Sequence, residues 1–291
     1  MLDDRSAGER TNFRSLTKPR YALRVGGSQL NRLIREAAFS LGYCLTPQVR
    51  DADVLRLIRS LRPRQCGRQL IRIGAEGDGG YLIPDDLDGI EYCFSPGVDA
   101  MAAFESQLAD RHIKSFLADY SVSGPPVSRP EFVFDRKYIG ANNNETYMTV
   151  GSWKQKYLAD YTKDLIFQMD IEGAEYEAML STPLEVLRQF RIIVVEMHWL
   201  ERLFDPFAFR IMQACFERLL SQFYVVHLHP NNCAGCVRKE GIEVPHVMEM
   251  TFYNRERAPA GDFCAEFPHP LDADNCPGLA SLPLPACWRA D

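Results

Sequence analysis

The feature of this sequence that most constrains its fold is an alternation of strand-like and helix-like segments over residues 90–254. Apolar runs rich in Ile, Val and Phe are separated by stretches with helical spacing, such as residues 100–110 and Asp205–Gln222. This rhythm is typical of a doubly wound, mostly parallel sheet. The strand-like runs are Ile90–Ser95, Ile113–Asp119, Phe132–Ile139, Asp164–Ile171, Phe190–His198, Phe223–His229 and His246–Asn254.

The last strand-like run differs from the others in how the chain reaches it. The segment that joins it to the preceding run has no helical pattern, whereas a parallel neighbour needs a long crossover, usually a helix. We therefore predict an α/β, Rossmann-like fold in which a mostly parallel seven-stranded sheet has an antiparallel last strand.

The length and composition allow one sizeable domain with short extensions at its ends. The chain has 291 residues, of which 46% are hydrophobic, and helical spacing recurs in Gln29–Leu41 and Val54–Leu61. We expect a flexible arm at 1–27, a short N-terminal helical extension at 28–67, the main domain at 68–255, and an extended C-terminal tail at 256–291, which is rich in Pro, Asp and Cys.

The charge distribution bears on possible partners. A formal net charge of -6 argues against a general nucleic-acid binder. Residues 1–72 nevertheless hold fifteen Arg or Lys against six Asp or Glu, so a basic N-terminal face toward an acidic partner, a membrane surface or RNA stays open. Self-association into a homo-oligomer is equally open.

The location of the protein is expected to be cytoplasmic. No apolar run reaches the length of a transmembrane segment, and the N-terminus lacks the apolar core of a secretory signal. The nine cysteines, an odd number, suit reduced thiols better than a disulfide framework. Cys233 and Cys236 form a CxxC, but no second CxxC is present to complete a zinc site.

Small and acidic residues follow the first two strand-like runs. In a doubly wound sheet, ligands bind at the carboxyl ends of the strands where the strand order reverses. A turn containing Ser95, Pro96 and Gly97 lets the backbone approach a ligand, and Asp119, about twenty residues further on, can accept the hydroxyls of a ribose. Together they favour an adenosyl ligand.

Carboxylates and histidines follow the later strand-like runs. Asp170, Glu172 and Glu175 come after the fourth, Glu196 and His198 after the fifth, and two histidines after the sixth. Glu175 is also compatible with a simple helix start. Asp170, Glu196, His198 and His229 can act either as a base toward a hydroxyl or as ligands of a divalent cation, and the residue types suit both.

At these positions the sequence resembles the FkbM family of S-adenosylmethionine-dependent methyltransferases, over about residues 68–255. The motifs that carry the resemblance are Gly77-Asp78-Gly79-Gly80-Tyr81, Phe94-Ser95-Pro96-Gly97-Val98 with Phe104-Glu105, Asp119, Met169-Asp170-Ile171-Glu172-Gly173-Ala174-Glu175, Glu196-Met197-His198-Trp199 and His229-Pro230-Asn231-Asn232. The resemblance implies a class I methyltransferase fold and S-adenosylmethionine as cofactor. The cofactor contacts it implies are Gly79, Gly80, Tyr81, Ser95, Pro96, Gly97, Glu105, Asp119 and Asp170.

The leading functional hypothesis is methyl transfer to a hydroxyl of a sugar, glycan or small metabolite. Its candidate catalytic residues are Asp170, Glu172, Glu196, His198 and His229, and a divalent metal is left open. An alternative is a non-catalytic binding or scaffold protein that keeps the fold and uses its basic N-terminal face. A metal-dependent hydrolase is a third hypothesis, and the absence of a GxSxG motif argues against a serine hydrolase.

Overall fold

The computed structural model describes residues 29–98 and 101–290, so the predicted arm at 1–27 lies outside the described residues. The chain divides into two compact units, Met1–Thr46 and Pro47–Asp291. This boundary falls inside the range predicted for the helical extension. In the first unit the structure describes helix α1, Gln29–Ser40, along which Arg32 pairs with Glu36 one turn away.

The second unit alternates strands and helices. None of the described helices is both long and apolar enough to cross a membrane. In chain order the elements are α2 Asp51–Ser60, β1 Leu70–Gly74, β2 Gly80–Pro84, β3 Tyr92–Pro96, α3 Ala103–Ala109, β4 Lys114–Ala118, β5 Phe132–Asp135, β6 Tyr138–Ile139, β7 Tyr147–Met148, α4 Val150–Leu158, β8 Leu165–Met169, α5 Glu175–Ser181, α6 Leu184–Leu187, β9 Phe190–Met197, α7 Pro206–Gln222, β10 Phe223–Pro230, β11 Cys236–Lys239, β12 Ile242–Pro245 and β13 Met248–Asn254.

The main sheet of the described residues has seven strands in the order β10-β13-β9-β8-β3-β4-β5. Neighbours from β9 to β5 run parallel, and β13 is antiparallel to both β9 and β10. The prediction of a mostly parallel seven-stranded sheet with an antiparallel last strand is therefore confirmed. The chain order reverses between β3 and β8, which places the switch point of this Rossmann-like sheet there.

Helices and a hairpin cover the two faces of the sheet, so most strand side chains are buried. One face packs against α4, α5 and α7, and the other against α3 and the antiparallel β1–β2 hairpin. Burial on both faces explains why these strands read as continuous apolar runs. Core residues of the first face include Phe94, Phe167, Ile193, Trp153, Met179 and Phe216, and those of the second include Cys93, Ile166, Val194, Ile73, Ile83 and Phe104.

The prediction of one strand over Phe132–Ile139 is wrong, because the chain leaves the sheet after Asp135. The buried Asp135 carboxylate accepts a hydrogen bond from the indole of Trp153 and pairs with Lys156, both on α4. These contacts fix Asp135 at the sheet edge. Residues Tyr138–Ile139 then form β6, which pairs with β7 in a separate two-stranded sheet.

The C-terminal tail packs against the rest of the second unit at several points. The indole of Trp288 is fully buried and donates to the carbonyl of Glu243 at 2.9 Å, and Phe263 forms a bridge with Arg64. Near the middle of the tail, the backbone of Cys276 and the side chain of Asn232 exchange two hydrogen bonds of 2.9 Å. The tail is thereby held against the segment that follows β10.

The expectation of reduced cysteines is wrong for one pair, which joins the tail to the segment after β10. Cys233 and Cys276 form a disulfide with their Cα atoms 5.5 Å apart. Bonded in this way, Cys233 has no thiolate to offer as half of a CxxC zinc site. Since disulfides persist mainly in oxidising compartments, the bond gives no support to a cytoplasmic location, which stays a prediction.

Candidate functional site

A cleft of about 630 Å³ opens at the switch point of the sheet. Its walls come from the segments after β3, β4 and β8 and from the turn of the β1–β2 hairpin, and the volume lies in the range of small-molecule sites. Of the residues predicted to form the site, the cleft is lined by Gly79, Tyr81, Gly97, Glu105, Asp119, Asp170 and Glu172.

The turn after β3 brings two strand ends into direct contact. Gly97 has a φ of 90°, and a Cβ at this position would lie 1.5 Å from the backbone oxygen of Asp170. Both the backbone angle and the contact require glycine. A single glycine is therefore enough to bring the turn after β3 into contact with the end of β8. The sequence contains no extended glycine-rich loop at this turn.

Ser95 and Pro96 belong to the packing behind the cleft. Both are buried, and the Ser95 hydroxyl lies 2.6 Å from the Gln168 amide oxygen and in hydrogen-bonding contact with Glu105. Burial raises the pKa of Glu105, against the opposing effect of the Ser95 hydrogen bond. Ser95 thus orients two side chains that line the cleft, Glu105 and Gln168, the second of which the sequence prediction missed.

The hairpin turn that carries GDGGY forms one lip of the cleft. Gly79 and Tyr81 line it, and the Tyr81 ring packs edge-on against Phe104 with centroids 5.8 Å apart. Gly80 lies against Ala75 instead, since a Cβ there would be 1.9 Å from the Ala75 carbonyl oxygen. The motif thus forms the turn and the start of β2 in the β1–β2 hairpin, where Gly80 has a packing role.

Asp119 lies at the opposite lip, just after β4. Its Oδ1 accepts hydrogen bonds of 2.7 Å from both the backbone nitrogen and the hydroxyl of Ser121, which fixes the carboxylate while it lines the cleft. Beside it stands an aromatic group that the sequence prediction missed. Tyr120, Tyr138 and Tyr147 follow one another with ring centroids 5.4 and 5.6 Å apart, and the last two line the cleft.

His198, which follows β9, is oriented by Glu175. The Nδ1 atom lies 3.0 Å from Oε1 of Glu175, and this oxygen also accepts hydrogen bonds from the backbone nitrogens of Ile171 and Gly173. Glu175 is fully buried. Its carboxylate therefore does more than begin helix α5, which starts at Glu175.

The opposite ring nitrogen of His198 faces Asp170 and Glu172. Nε2 lies 3.9 Å from Oδ1 of Asp170 and 3.5 Å from Oε2 of Glu172. Burial lowers the pKa of His198, but the hydrogen bond and charge of Glu175, with the charge of Asp170, outweigh it and raise the pKa to about 9. Burial and repulsion by Glu196 raise the pKa of Asp170 to about 8. Glu172 has a left-handed φ of 57°, a conformation that is costly for this residue type and often found at functional sites.

A row of ionisable side chains crosses the sheet beyond Asp170. In register, Glu196 on β9 faces Glu249 on β13, which in turn faces His229 on β10. Burial and the charge of Glu249 raise the pKa of Glu196 to about 7, and burial also raises the pKa of Glu249 to about 7. Glu249 was missed from the sequence, although an acid inside the apolar run His246–Asn254 is itself an anomaly that marks it.

The predicted catalytic residue His229 lies at the far end of this row and interacts with the tail. Its Nδ1 lies 3.6 Å from Asp272, which also contacts Nε2 of His227 at 2.8 Å. Burial opposes the charge of Asp272, yet hydrogen bonds from the two histidines hold its pKa well below its usual range. The side chain of His198 instead contacts those of Asp170, Glu172 and Glu175. The sequence predicted one cluster, but the structure has two groups, one around His198 and one around His229 and Asp272.

Comparison with known proteins adds little to this geometry. No protein-family model and no curated protein sequence matches the chain. Among solved structures, it is similar to a chain of a fibrillarin/Nop5p complex, at 12% sequence identity and a TM-score of 0.35, over 58% of this chain and 74% of that one. A likeness of this size carries no conclusion about the substrate or activity of this protein.

Proposed function

We propose that this protein is an S-adenosylmethionine-dependent methyltransferase of the FkbM type that methylates a hydroxyl of a sugar, glycan or small metabolite. The observation that carries the proposal is the juxtaposition, in one cleft, of Gly97, Asp119 and Asp170, the last of which lies 3.9 Å from Nε2 of His198. The first two suit an adenosyl ligand, and the last two suit proton removal from a hydroxyl.

The described residues fit the cofactor in three respects. The cleft has the volume of a small-molecule site, Asp119 is held at its edge by Ser121, and Gly97 places no side chain at the start of the turn after β3. A carboxylate at this strand end supports the proposal because it can accept the ribose hydroxyls. When bound, S-adenosylmethionine would supply a methyl group attached to a sulfonium sulfur. The carbon–sulfur bond would break as a hydroxyl oxygen bonds to the methyl carbon and displaces the sulfur.

The proposed work of the chain is to hold the acceptor and take its proton. Glu175 fixes the His198 ring through Nδ1, so Nε2 is directed at the side where Asp170 and Glu172 lie. Once Nε2 of His198 or the Asp170 carboxylate has lost its own proton, that group takes the proton of a hydroxyl seated there while the hydroxyl oxygen attacks. The aromatic rings of Tyr138 and Tyr147 offer apolar surface to the faces of a sugar ring or a nucleobase.

Transfer of a labelled methyl group tests the proposal. The full chain is incubated with S-adenosylmethionine carrying a labelled methyl, over a panel of free sugars, oligosaccharides and cell extracts. We expect incorporation into at least one acceptor, and a loss of about 100-fold or more in Asp170→Asn and His198→Gln, with Glu256→Gln on the surface as control. Incorporation that is unchanged in both variants would refute the assigned roles, and a folded protein that binds no cofactor would favour the scaffold alternative.

A further inference from the structure

We propose that the cleft holds a divalent cation, bound by Nε2 of His198 and by carboxylate oxygens of Asp170 and Glu172. The site stands on the contacts of these side chains alone. Its meaning for catalysis rests on the proposed methyltransferase function, because an ion here would bind the acceptor hydroxyl.

The orientation of the His198 ring is set by the contacts of its Nδ1 atom. Nδ1 has two acceptor neighbours: Oε1 of Glu175 at 3.0 Å, which also accepts two backbone hydrogen bonds, and the backbone oxygen of Glu196 at 3.2 Å. Nδ1 therefore carries the proton. In the neutral ring, Nε2 then has a free lone pair, which is the arrangement of metal-binding histidines whose other nitrogen donates to a carboxylate.

Two carboxylate oxygens face this lone pair. Nε2 lies 3.5 Å from Oε2 of Glu172 and 3.9 Å from Oδ1 of Asp170, and the second distance is too long for a hydrogen bond. Two ligands about 2.1 Å from a tetrahedral ion lie about 3.4 Å apart. Each of the two separations from Nε2 is therefore close to that of two ligands of one shared ion.

Two buried carboxylate oxygens beside His198 lack a hydrogen-bond partner. Oδ1 of Asp170 and Oε2 of the fully buried Glu175 have no hydrogen bond. Oxygens of these two residues and a ring nitrogen of His198 lie within 4.8 Å of one another. In the described part of the chain, no Lys or Arg pairs with Asp170, Glu172 or Glu175, so these carboxylates have no cationic partner when the His198 ring is neutral. Unpaired buried carboxylates are costly, and a cation removes that cost.

The donor set indicates the class of ion. One imidazole with two carboxylates suits Mn²⁺, Fe²⁺ or Zn²⁺, and both carboxylates, those of Asp170 and Glu172, line the cleft. An ion in this position would lower the pKa of a bound hydroxyl, and a carboxylate beside it would take the proton.

Binding of the metal alone tests the site. Metal-stripped full-length protein is titrated with Mn²⁺ while the electron paramagnetic resonance signal of the free ion is followed, and with Zn²⁺ in a calorimeter. We expect one ion per chain, and affinities at least about 100-fold weaker in Asp170→Asn and His198→Gln. His246→Gln is the matched control, since His246 contacts Glu201 at 3.0 Å in a separate histidine–carboxylate pair.

Two further variants keep the test decisive if a buried substitution prevents folding. Glu172 is 87% exposed, so Glu172→Gln will fold and should weaken binding of the ion. Glu175→Gln should weaken it by about 10–100-fold through loss of the ring's anionic partner. No binding of either ion at millimolar concentration, or binding unchanged in all four variants, overturns the proposal. S-adenosylhomocysteine binding, measured on the same samples, separates failure of the metal site from failure of the methyltransferase function.

Discussion

Nδ1 of His198 lies 3.0 Å from Oε1 of Glu175, a carboxylate without solvent exposure that also accepts two backbone hydrogen bonds. We expect Glu175→Ala to leave the three donors unpaired and to reduce the free energy of unfolding by about 2–4 kcal/mol. Glu175→Gln keeps an acceptor oxygen and should lose less. Denaturant unfolding measures both, and equal losses would contradict a hydrogen-bonding role for this oxygen.

Removing the charge of Glu175 should also lower the pKa of His198. The pKa of about 9 depends on the hydrogen bond and charge of Glu175, which overcome the opposing effect of burial. In metal-free protein, NMR titration of the ring should therefore give a lower pKa in Glu175→Gln than in the wild type. An unchanged His198 pKa in this variant would contradict the assignment.

Gly97→Ala should disrupt the contact between the β3 turn and the end of β8. The left-handed φ and the 1.5 Å approach to the Asp170 backbone force one of the two strand ends to move. We expect a loss of about 2 kcal/mol or more in unfolding free energy and a loss of cofactor binding. Gly124→Ala is the control, since a Cβ there meets nothing within 4 Å. A fully stable variant with normal binding would contradict the close approach.

Glu249 should make stability depend on pH. Its pKa rises from 4.5 in the unfolded chain to about 7 in the folded protein because of burial. Between these values the folded state holds the proton more tightly, so stability relative to Glu249→Gln falls as pH rises from 4.5 to 7, by about 3 kcal/mol, and is then constant. Unfolding free energies across this range test it, with exposed Glu256→Gln as control. Parallel curves for wild type and Glu249→Gln would contradict the buried acid.

Reduction of the Cys233–Cys276 disulfide should loosen the tail. A crosslink over a separation of 43 residues stabilises a fold by about 2–4 kcal/mol. We expect Cys233→Ser, or a reducing agent, to lower the melting temperature, while Cys44→Ser, at an exposed free cysteine, has no effect. If neither Cys233→Ser nor the reducing agent changes the melting temperature, Cys233 and Cys276 are not bonded to each other in solution.

The sheet could be predicted from the sequence because its strands are buried on both faces. Each strand is then a continuous apolar run, and the antiparallel last strand follows from a connection without a crossover helix. The split after Asp135 could not be predicted, since it depends on contacts with Trp153 and Lys156 that lie about twenty residues further along the chain.

The candidate site could be predicted only where it follows the ends of parallel strands. Asp119, Asp170 and His198 were found in this way, because their position after a strand places them at one edge of the sheet. The partners of these residues come from elsewhere. Asp272 belongs to the aperiodic tail, and Glu249 lies on an antiparallel strand, whose beginning and not its end reaches this edge.

Calorimetric titration of the full chain with S-adenosylhomocysteine tests the central claim most directly. We expect binding of one molecule per chain, weakened at least about tenfold in Asp119→Ala, which loses the carboxylate at the lip of the cleft. Glu185→Gln, an exposed acid on helix α6, should bind as the wild type does. A folded wild-type protein that binds neither S-adenosylhomocysteine nor S-adenosylmethionine would contradict the account.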